Sequence, residues 1–236
     1  MALHKVDQDN VSLGGDTVGD TLPALPITNK ERKGSVFRKI SMGRMFQGKH
    51  ACQEEEALLS VREVSRARNR IQDYLHLTSV LTSSNLCSML KVKVLFKAEN
   101  FQKSGSYQVR GVLNHIIYMR EQRLQKRARS RRSSLPQTFA VMTSGGGEFA
   151  EAAACAANMA GVNCISVVPK STCRATLEIL HHYKSRVVVH TSDDEESVRE
   201  RADKEAADTG YKMITPYCST LFAGYGTLGF SLILRD

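Results

Sequence analysis

From residue 138 onward, short runs of consecutive apolar residues alternate with longer segments in which apolar residues recur every three or four positions. The short runs predict strands buried on both faces, and the longer segments predict amphipathic helices. The predicted strands are Thr138–Thr143, Asn163–Pro169, Arg186–Thr191 and Tyr211–Pro216, and the predicted helices are Glu148–Met159, Cys173–Tyr183, Glu195–Asp208 and Leu221–Arg235. This alternation predicts an α/β fold in which helices cover both faces of a twisted parallel sheet.

The same pattern begins earlier in the chain. A helix is predicted over Glu54–Leu75, and a strand over Val92–Lys97 leads into a helix from about Ser106. Residues 1–53 are rich in small and charged residues with few periodic apolar positions, which predicts a disordered tail. We therefore expect a tail over residues 1–53 followed by one α/β region over residues 54–236.

The excess positive charge is local. The net charge is +9, and the segment Arg120–Arg132 carries seven Lys or Arg residues against one Glu. Most of this segment belongs to a basic insert, residues 122–137, which has two large apolar residues and is predicted to be a mobile surface segment. Three interpretations stay open for it: a solvated loop, phosphorylation at Ser133 or Ser134 after the arginines, and an anionic partner. No aromatic residue interleaves with the cations, so nucleic-acid binding is not expected.

Signals for membrane insertion or export are not found in the sequence. No apolar run approaches the roughly 20 residues of a membrane span. The N-terminal sequence MALHKVDQDN has early acidic residues and no apolar core, unlike a secretory signal. The six cysteines include no C-x-x-C pair, which is typical of reduced thiols rather than of disulfides or a metal site. We expect a cytoplasmic protein without a membrane partner.

The most specific stretch is Lys97–Gly111, KAENFQKSGSYQVRG. A turn of polar and small residues here joins a strand to a helix, the arrangement that directs backbone N–H groups at an anion. Its residue order resembles the cofactor segment of the serine racemase and serine/threonine dehydratase family, K-x-E-x-x-Q-x-x-G-S-aromatic-Lys-x-R-G. In that family the lysine forms an imine with pyridoxal phosphate, whereas this chain has Gln108 at the lysine position. A carboxamide nitrogen forms no imine. The resemblance thus implies a pyridoxal phosphate site in which the cofactor is not held covalently.

A second glycine-rich turn lies within AVMTSGGGEFAEAAACAANMAG, residues 140–161. It resembles the family's T-x-S-S-G-N-H-G-Q-A turn, which holds the substrate carboxylate and supplies a second acid/base group, a serine. The substrate loop implied here consists of Ser144, Gly145, Gly146 and Gly147. Gly146 stands at the position of the catalytic serine, and Glu148 stands at that of the asparagine beside the cofactor ring. Both acid/base positions have therefore lost their proton-transfer groups. Glu148 would also repel an anionic substrate, by roughly 4 kcal/mol at about 4 Å and an effective dielectric constant near 20.

A third stretch, HLTSVLTSSN (His76–Asn85), resembles the family's H-L-T-P-V-L-T-S-S, whose serines help bind an activating nucleotide at a subunit interface. The positions that the resemblance offers to ATP are Ser83, Ser84, Asn85, Lys103 and Ser104. A capped loop before a helix is an equally good interpretation. The family's phosphate-binding glycine loop and divalent-cation ligands would follow the matching segment. We therefore expect a chain truncated before the C-terminal half of the fold, without the family's cation site.

The resemblance implies a partial pyridoxal-phosphate fold-type II structure, with a small-domain-like region over about residues 86–220. The favoured interpretation is a catalytically impaired serine racemase-like protein with a binding or regulatory role, paired with an active paralogue or with a second copy. The alternative is an active racemase or ammonia-lyase of L-serine that uses another lysine, Lys97 or Lys103. A third interpretation is a product without function.

Overall fold

The computed structural model describes residues 59–129 and 139–233. Its helices and strands are, in chain order, α1 (Val61–Ile71), β1 (Val80–Thr82), α2 (Ser84–Leu90), β2 (Leu95–Lys97), a 3-10 helix (Glu99–Phe101), α3 (Gln108–Arg129), β3 (Ala140–Ser144), α4 (Glu148–Met159), β4 (Asn163–Val168), α5 (Arg174–His182), β5 (Arg186–Val189), α6 (Glu195–Thr209), β6 (Lys212–Met213) and α7 (Ser219–Ile233). Every helix and strand predicted within these ranges is present, and most are shorter at their ends. Residues 54–58 of the first predicted helix and the tail over residues 1–53 lie outside the described residues.

The central sheet has four parallel strands in the order β5-β4-β3-β6. Successive residues of β3 pack on opposite faces, as the pleat of a strand requires. Val141 joins the core formed by α3, α4 and α7, whereas Met142 packs against Val198 and Ala202 of α6. The predicted α/β fold, with helices on both faces of a parallel sheet, is therefore confirmed.

The helix α3 lies in the centre of the larger core and packs against α1, α4 and α7. Its residues from Val109 to Ile117 are all buried. The helices α3 and α7 approach closely because Gly224 has no side chain: a Cβ there would lie 2.5 Å from the carbonyl oxygen of Arg110. Close backbone contact of this kind fixes the first turn of α3 against α7.

The strands β1 and β2 pair with each other antiparallel, with Val80 opposite Lys97, and form a separate two-stranded sheet. The strand predicted over Val92–Lys97 is thus present, but it does not begin the parallel alternation. The short helix α2 ends at Lys91, whose left-handed backbone conformation (φ 53°) reverses the chain and returns it beside β1. A parallel pairing would need a crossover of a dozen or more residues that returns the chain to the starting edge.

The segment from Leu77 to Phe101 exposes nine large apolar side chains. No residue of α2 is buried. The exposed residues are Leu77, Leu81, Leu86, Met89, Leu90, Val92, Leu95, Phe96 and Phe101, and we call them the apolar surface. Exposed apolar side chains concentrated in one segment are candidates for contact with other protein.

The basic insert differs from its prediction as a mobile segment over residues 122–129. These residues continue α3 to Arg129. Their Gln, Arg, Leu, Lys and Ala side chains are strong helix formers, and cations in the last turn stabilise the helix dipole. Ser133 and Ser134 lie outside the described residues. Within the described ranges, no helix is both long and apolar enough to cross a membrane.

Candidate functional site

The glycine-rich turn Ser144–Gly147 connects β3 to α4, and residues 169–173 connect β4 to α5. Because β3 and β4 are neighbouring parallel strands, both connections lie at the same edge of the sheet. The N–H of Gly145 donates to the carbonyl oxygen of Val167 at 2.9 Å, which ties the turn to the end of β4. Gly145 has a φ of +102°, a backbone conformation that favours glycine. The predicted glycine turn is therefore present, and its role as a substrate loop stays a prediction.

Position 146 has no room for a side chain in this conformation. A Cβ built on Gly146 would collide with Thr172 Oγ1 and would lie 3.0 Å from Thr172 Cγ2. Sequence reasoning missed Thr172. The signal that could have found it is its place directly after the strand next to β3, because connections that follow adjacent parallel strands meet at one edge.

Glu148 is the first residue of α4, where a carboxylate is favoured by the helix dipole. Its side chain is exposed and makes no hydrogen bond or ion pair to any residue that the structure describes. The carboxylate therefore does not fill the turn by bonding to its N–H groups. Repulsion of an anionic ligand by Glu148 stays a prediction.

Gln108 is the first residue of α3, and its backbone N–H donates to Ser106 Oγ at 3.3 Å. Its side-chain oxygen, Oε1, is buried and has no hydrogen-bond partner among the described residues. A buried acceptor without a donor costs about 1–3 kcal/mol. Within the same residues no side-chain hydrogen bond connects Gln108 to the Ser144–Gly147 turn. An amide at this position offers no primary amine, so Gln108 does not fit covalent attachment of pyridoxal phosphate.

The other members of the Lys97–Gly111 motif hold the fold together. The buried Arg110 donates two hydrogen bonds to the Glu99 carboxylate, each of 2.7 Å, and Thr78 Oγ1 donates a third at 2.6 Å. Burial alone would raise the pKa of Glu99, but the bonds from Arg110 and Thr78 outweigh it and hold that pKa below its usual value. The retained charged residues of the motif are therefore structural, whereas the position that would carry the chemistry has changed.

The two lysines of the alternative interpretation lie in different surroundings. Lys97 Nζ donates to the carbonyl oxygen of Thr78 at 2.8 Å. Lys103 has an exposed side chain, and its carbonyl oxygen accepts from Tyr183 Oη at 2.8 Å. An exposed amine lacks the desolvation that activates lysine nucleophiles. Neither lysine is therefore an obvious substitute for the lysine of the family pattern.

The predicted nucleotide-binding residues belong to two elements. Ser83 caps α2, since its side chain accepts from the N–H of Leu86 at 3.4 Å, and Ser84 and Asn85 are exposed in the first turn. Ser104 Oγ donates to the carbonyl oxygen of Ser106, in the loop before α3. The capped loop expected before a helix is therefore present. ATP binding stays a prediction.

No group of His, Cys, Asp or Glu in the described parts of the chain is arranged to hold a metal ion.

A buried polar cluster between α3 and the start of α7 was not predicted. His115 Nδ1 lies 2.5 Å from Thr220 Oγ1 and 3.4 Å from Cys218 Sγ. Burial lowers the pKa of His115 to about 4, so the ring is neutral near pH 7. The partners are more than 100 residues apart, and no sequence signal connects them.

His115 makes the stability of the protein depend on pH. Its folded pKa of about 4 lies below the value of about 6.5 in an unfolded chain, so between these values the unfolded chain binds a proton that the folded chain does not. His115 should therefore lower the free energy of unfolding by about 2–3 kcal/mol between pH 7.5 and pH 4.5. Urea unfolding at both pH values measures this loss. The variant His115→Gln should lose this part of the pH dependence, and an unchanged dependence in the variant would contradict the assignment.

The chain is similar in sequence to a known protein family and to curated members of it. A family model described as pyridoxal-phosphate dependent enzyme matches residues 71–235. A curated serine racemase of Dictyostelium discoideum is 29% identical over 182 residues, which are 76% of this chain and 52% of the relative.

Two solved structures are similar in fold. A pyridoxal 5'-phosphate-dependent aspartate racemase has a TM-score of 0.64 and 30% identity, over 74% of this chain and 51% of that chain. Maize serine racemase has a TM-score of 0.65 and 25% identity, over 75% and 50%. The similarity indicated by the sequence motifs is confirmed, and the chain spans about half the length of the relatives it matches.

Proposed function

This chain belongs to the pyridoxal-phosphate dependent enzyme family, and we propose that it is a serine racemase-like member that has lost the family reaction and acts by binding protein. The observation that carries this proposal is Gln108, which stands at the position of the cofactor lysine and has a buried oxygen without a hydrogen-bond partner among the described residues. Pyridoxal phosphate, when bound through a lysine, supplies an electron sink for chemistry at an amino-acid α-carbon. Gln108 provides neither that attachment nor a base.

The second acid/base position supports the same conclusion. Gly146 offers no proton-transfer group, and Thr172 occupies the space that a side chain there would need. General acid–base groups typically contribute 10²–10⁴-fold to a rate. Both of the proton-transfer groups that the family pattern implies for the two faces of the L-serine α-carbon are thus missing.

A binding role is supported by the apolar surface between Leu77 and Phe101. We propose that this surface contacts an active paralogue or a second copy of the chain, and that the protein acts in the cytoplasm. Regulation through contact with another subunit requires a folded surface and does not require an active catalytic site. It is therefore compatible with the retained Glu99–Arg110 pair and the changed Gln108.

The test is the search for a pyridoxyl-lysine. The purified protein is incubated with pyridoxal phosphate, reduced with borohydride and mapped by peptide mass spectrometry, with the Dictyostelium serine racemase as positive control. We expect a stoichiometric adduct in the control and only scattered, substoichiometric labelling here. A stoichiometric adduct on a single lysine, Lys97 or Lys103 in particular, would overturn the proposal and favour the active-enzyme alternative.

A further inference from the structure

We propose that the Thr172 side chain keeps position 146 free of any side chain, so that Gly146 and Thr172 form one sterically coupled pair. The first support is steric. A Cβ at Gly146 would meet three atoms of Thr172, namely Oγ1, Cγ2 and Cβ, the last at 3.1 Å. The backbone of Gly146 is outside the left-handed region, unlike that of Gly145. The obstacle to a larger residue at position 146 is therefore the neighbouring side chain and not the backbone conformation.

Thr172 cannot easily yield, because its loop is held at several points. Its Oγ1 donates to the carbonyl oxygen of Pro169 at 2.8 Å, and its N–H donates to the same oxygen at 3.2 Å. The preceding N–H, of Ser171, donates to Asp193 Oδ1 at 2.7 Å. A side chain at position 146 would have to break the Thr172 hydroxyl bond or move a loop with these anchors.

The start of α5 is tied down as well. Thr176 is buried, and its Oγ1 donates to Glu151 Oε1 of α4 at 2.6 Å. The helices α4 and α5, which follow the two connections, are thus linked, so the loop before α5 cannot move away from the turn as a rigid unit without loss of this bond. The coupled pair makes a side chain at position 146 costly for as long as Thr172 is present. Its meaning for catalysis rests on the proposed function, whereas the steric coupling does not.

A double-mutant cycle tests the coupling by thermal unfolding of the full chain. Gly146→Ser should lower the Tm by roughly 4–10 °C, since overpacking of this size is costly and each kcal/mol corresponds to about 2–4 °C in a chain of this length. In the Thr172→Ala background, the same change should lower the Tm by less than about 2 °C. An unchanged Tm in Gly146→Ser, or an undiminished loss in the double variant, would overturn the proposal.

The adjacent glycine provides a matched control. Gly147 is the N-cap of α4 with an extended backbone (φ −114°), and a Cβ there meets no atom within 4 Å. Gly147→Ser should therefore keep or raise the Tm, because serine is a favoured N-cap residue. A loss as large as that of Gly146→Ser would show that the turn rejects any side chain, which would overturn the specific role of Thr172.

A conservative variant separates contact with Oγ1 from general loosening of the loop. Thr172→Ser retains the hydroxyl that meets the built Cβ, so it should restore Gly146→Ser much less than Thr172→Ala does. Equal restoration by both variants would contradict the assignment to Oγ1. These measurements need no pyridoxal phosphate. Their failure would therefore be distinct from a positive adduct test, which concerns the proposed function alone.

Discussion

Gln108→Lys alone is expected to give no measurable racemisation of L-serine and no pyruvate. The substitution supplies a primary amine, which is one of the two proton-transfer groups that the family pattern implies. Gly146 still leaves the opposite face without a group, and such groups are worth about 10²–10⁴-fold each. Glu148 also places a negative charge beside the turn that would have to accept the substrate carboxylate.

The informative comparison is between this single variant and a quadruple variant, Gln108→Lys, Gly146→Ser, Glu148→Asn and Thr172→Ala. The last change is included because the Thr172 side chain occupies the space that the serine needs. D-Serine and pyruvate are both assayed, with the Dictyostelium serine racemase as positive control and circular dichroism to check folding. We expect that any turnover requires the combined changes. Clear turnover by the single variant would mean that Gly146, Glu148 and Thr172 are not the obstacles proposed here.

Arg110→Met is expected to destabilise the protein by about 3–5 kcal/mol, because it leaves the Glu99 carboxylate buried without the guanidinium that donates two bonds to it. Met retains much of the length and apolar contact of the Arg stem, so the loss reports mainly the uncompensated charge. Urea unfolding at pH 7.5 measures it. The pair is buried, so the loss should change little with added salt.

The double variant Arg110→Met, Glu99→Gln should recover most of this loss, because the buried charge is gone and the amide oxygen still accepts from Thr78. The matched control is Arg174→Met, which removes the exposed Arg174–Glu178 pair on α5, also of 2.7 Å. That change should stay within about 0.5 kcal/mol. Equal effects of Arg110→Met and Arg174→Met would refute a structural role for the buried pair.

The sequence predicted the central sheet and its covering helices well because those segments are governed by local pattern. The strand β4 is a nearly continuous apolar run, and the helix α6 begins with an Asp194 cap and two glutamates in its first turn. Strand pairing was less predictable. The short strand β1 is only three residues long, and its pairing with β2 depends on how α2 and Lys91 reverse the chain.

The end of α3 shows a similar limit. Its basic residues were interpreted as a mobile surface segment because they lack an apolar face, yet the residues to Arg129 are helical. Helix propensity and continuity with the buried part of α3 decide this, since a preformed helix extends by one residue at little cost. A hydrophobic pattern alone gives no account of such an extension.

The sequence by itself determined that position 108 offers no primary amine, because a carboxamide lacks that group whatever its surroundings. The same holds for the hydroxyl missing at Gly146. The tertiary structure alone decided that Thr172 takes the space beside Gly146 and that His115 meets Cys218 and Thr220. Those contacts join residues that are 26 and more than 100 positions apart. They exist only because adjacent parallel strands align their ends and because α3 packs against α7, and no local pattern records either arrangement.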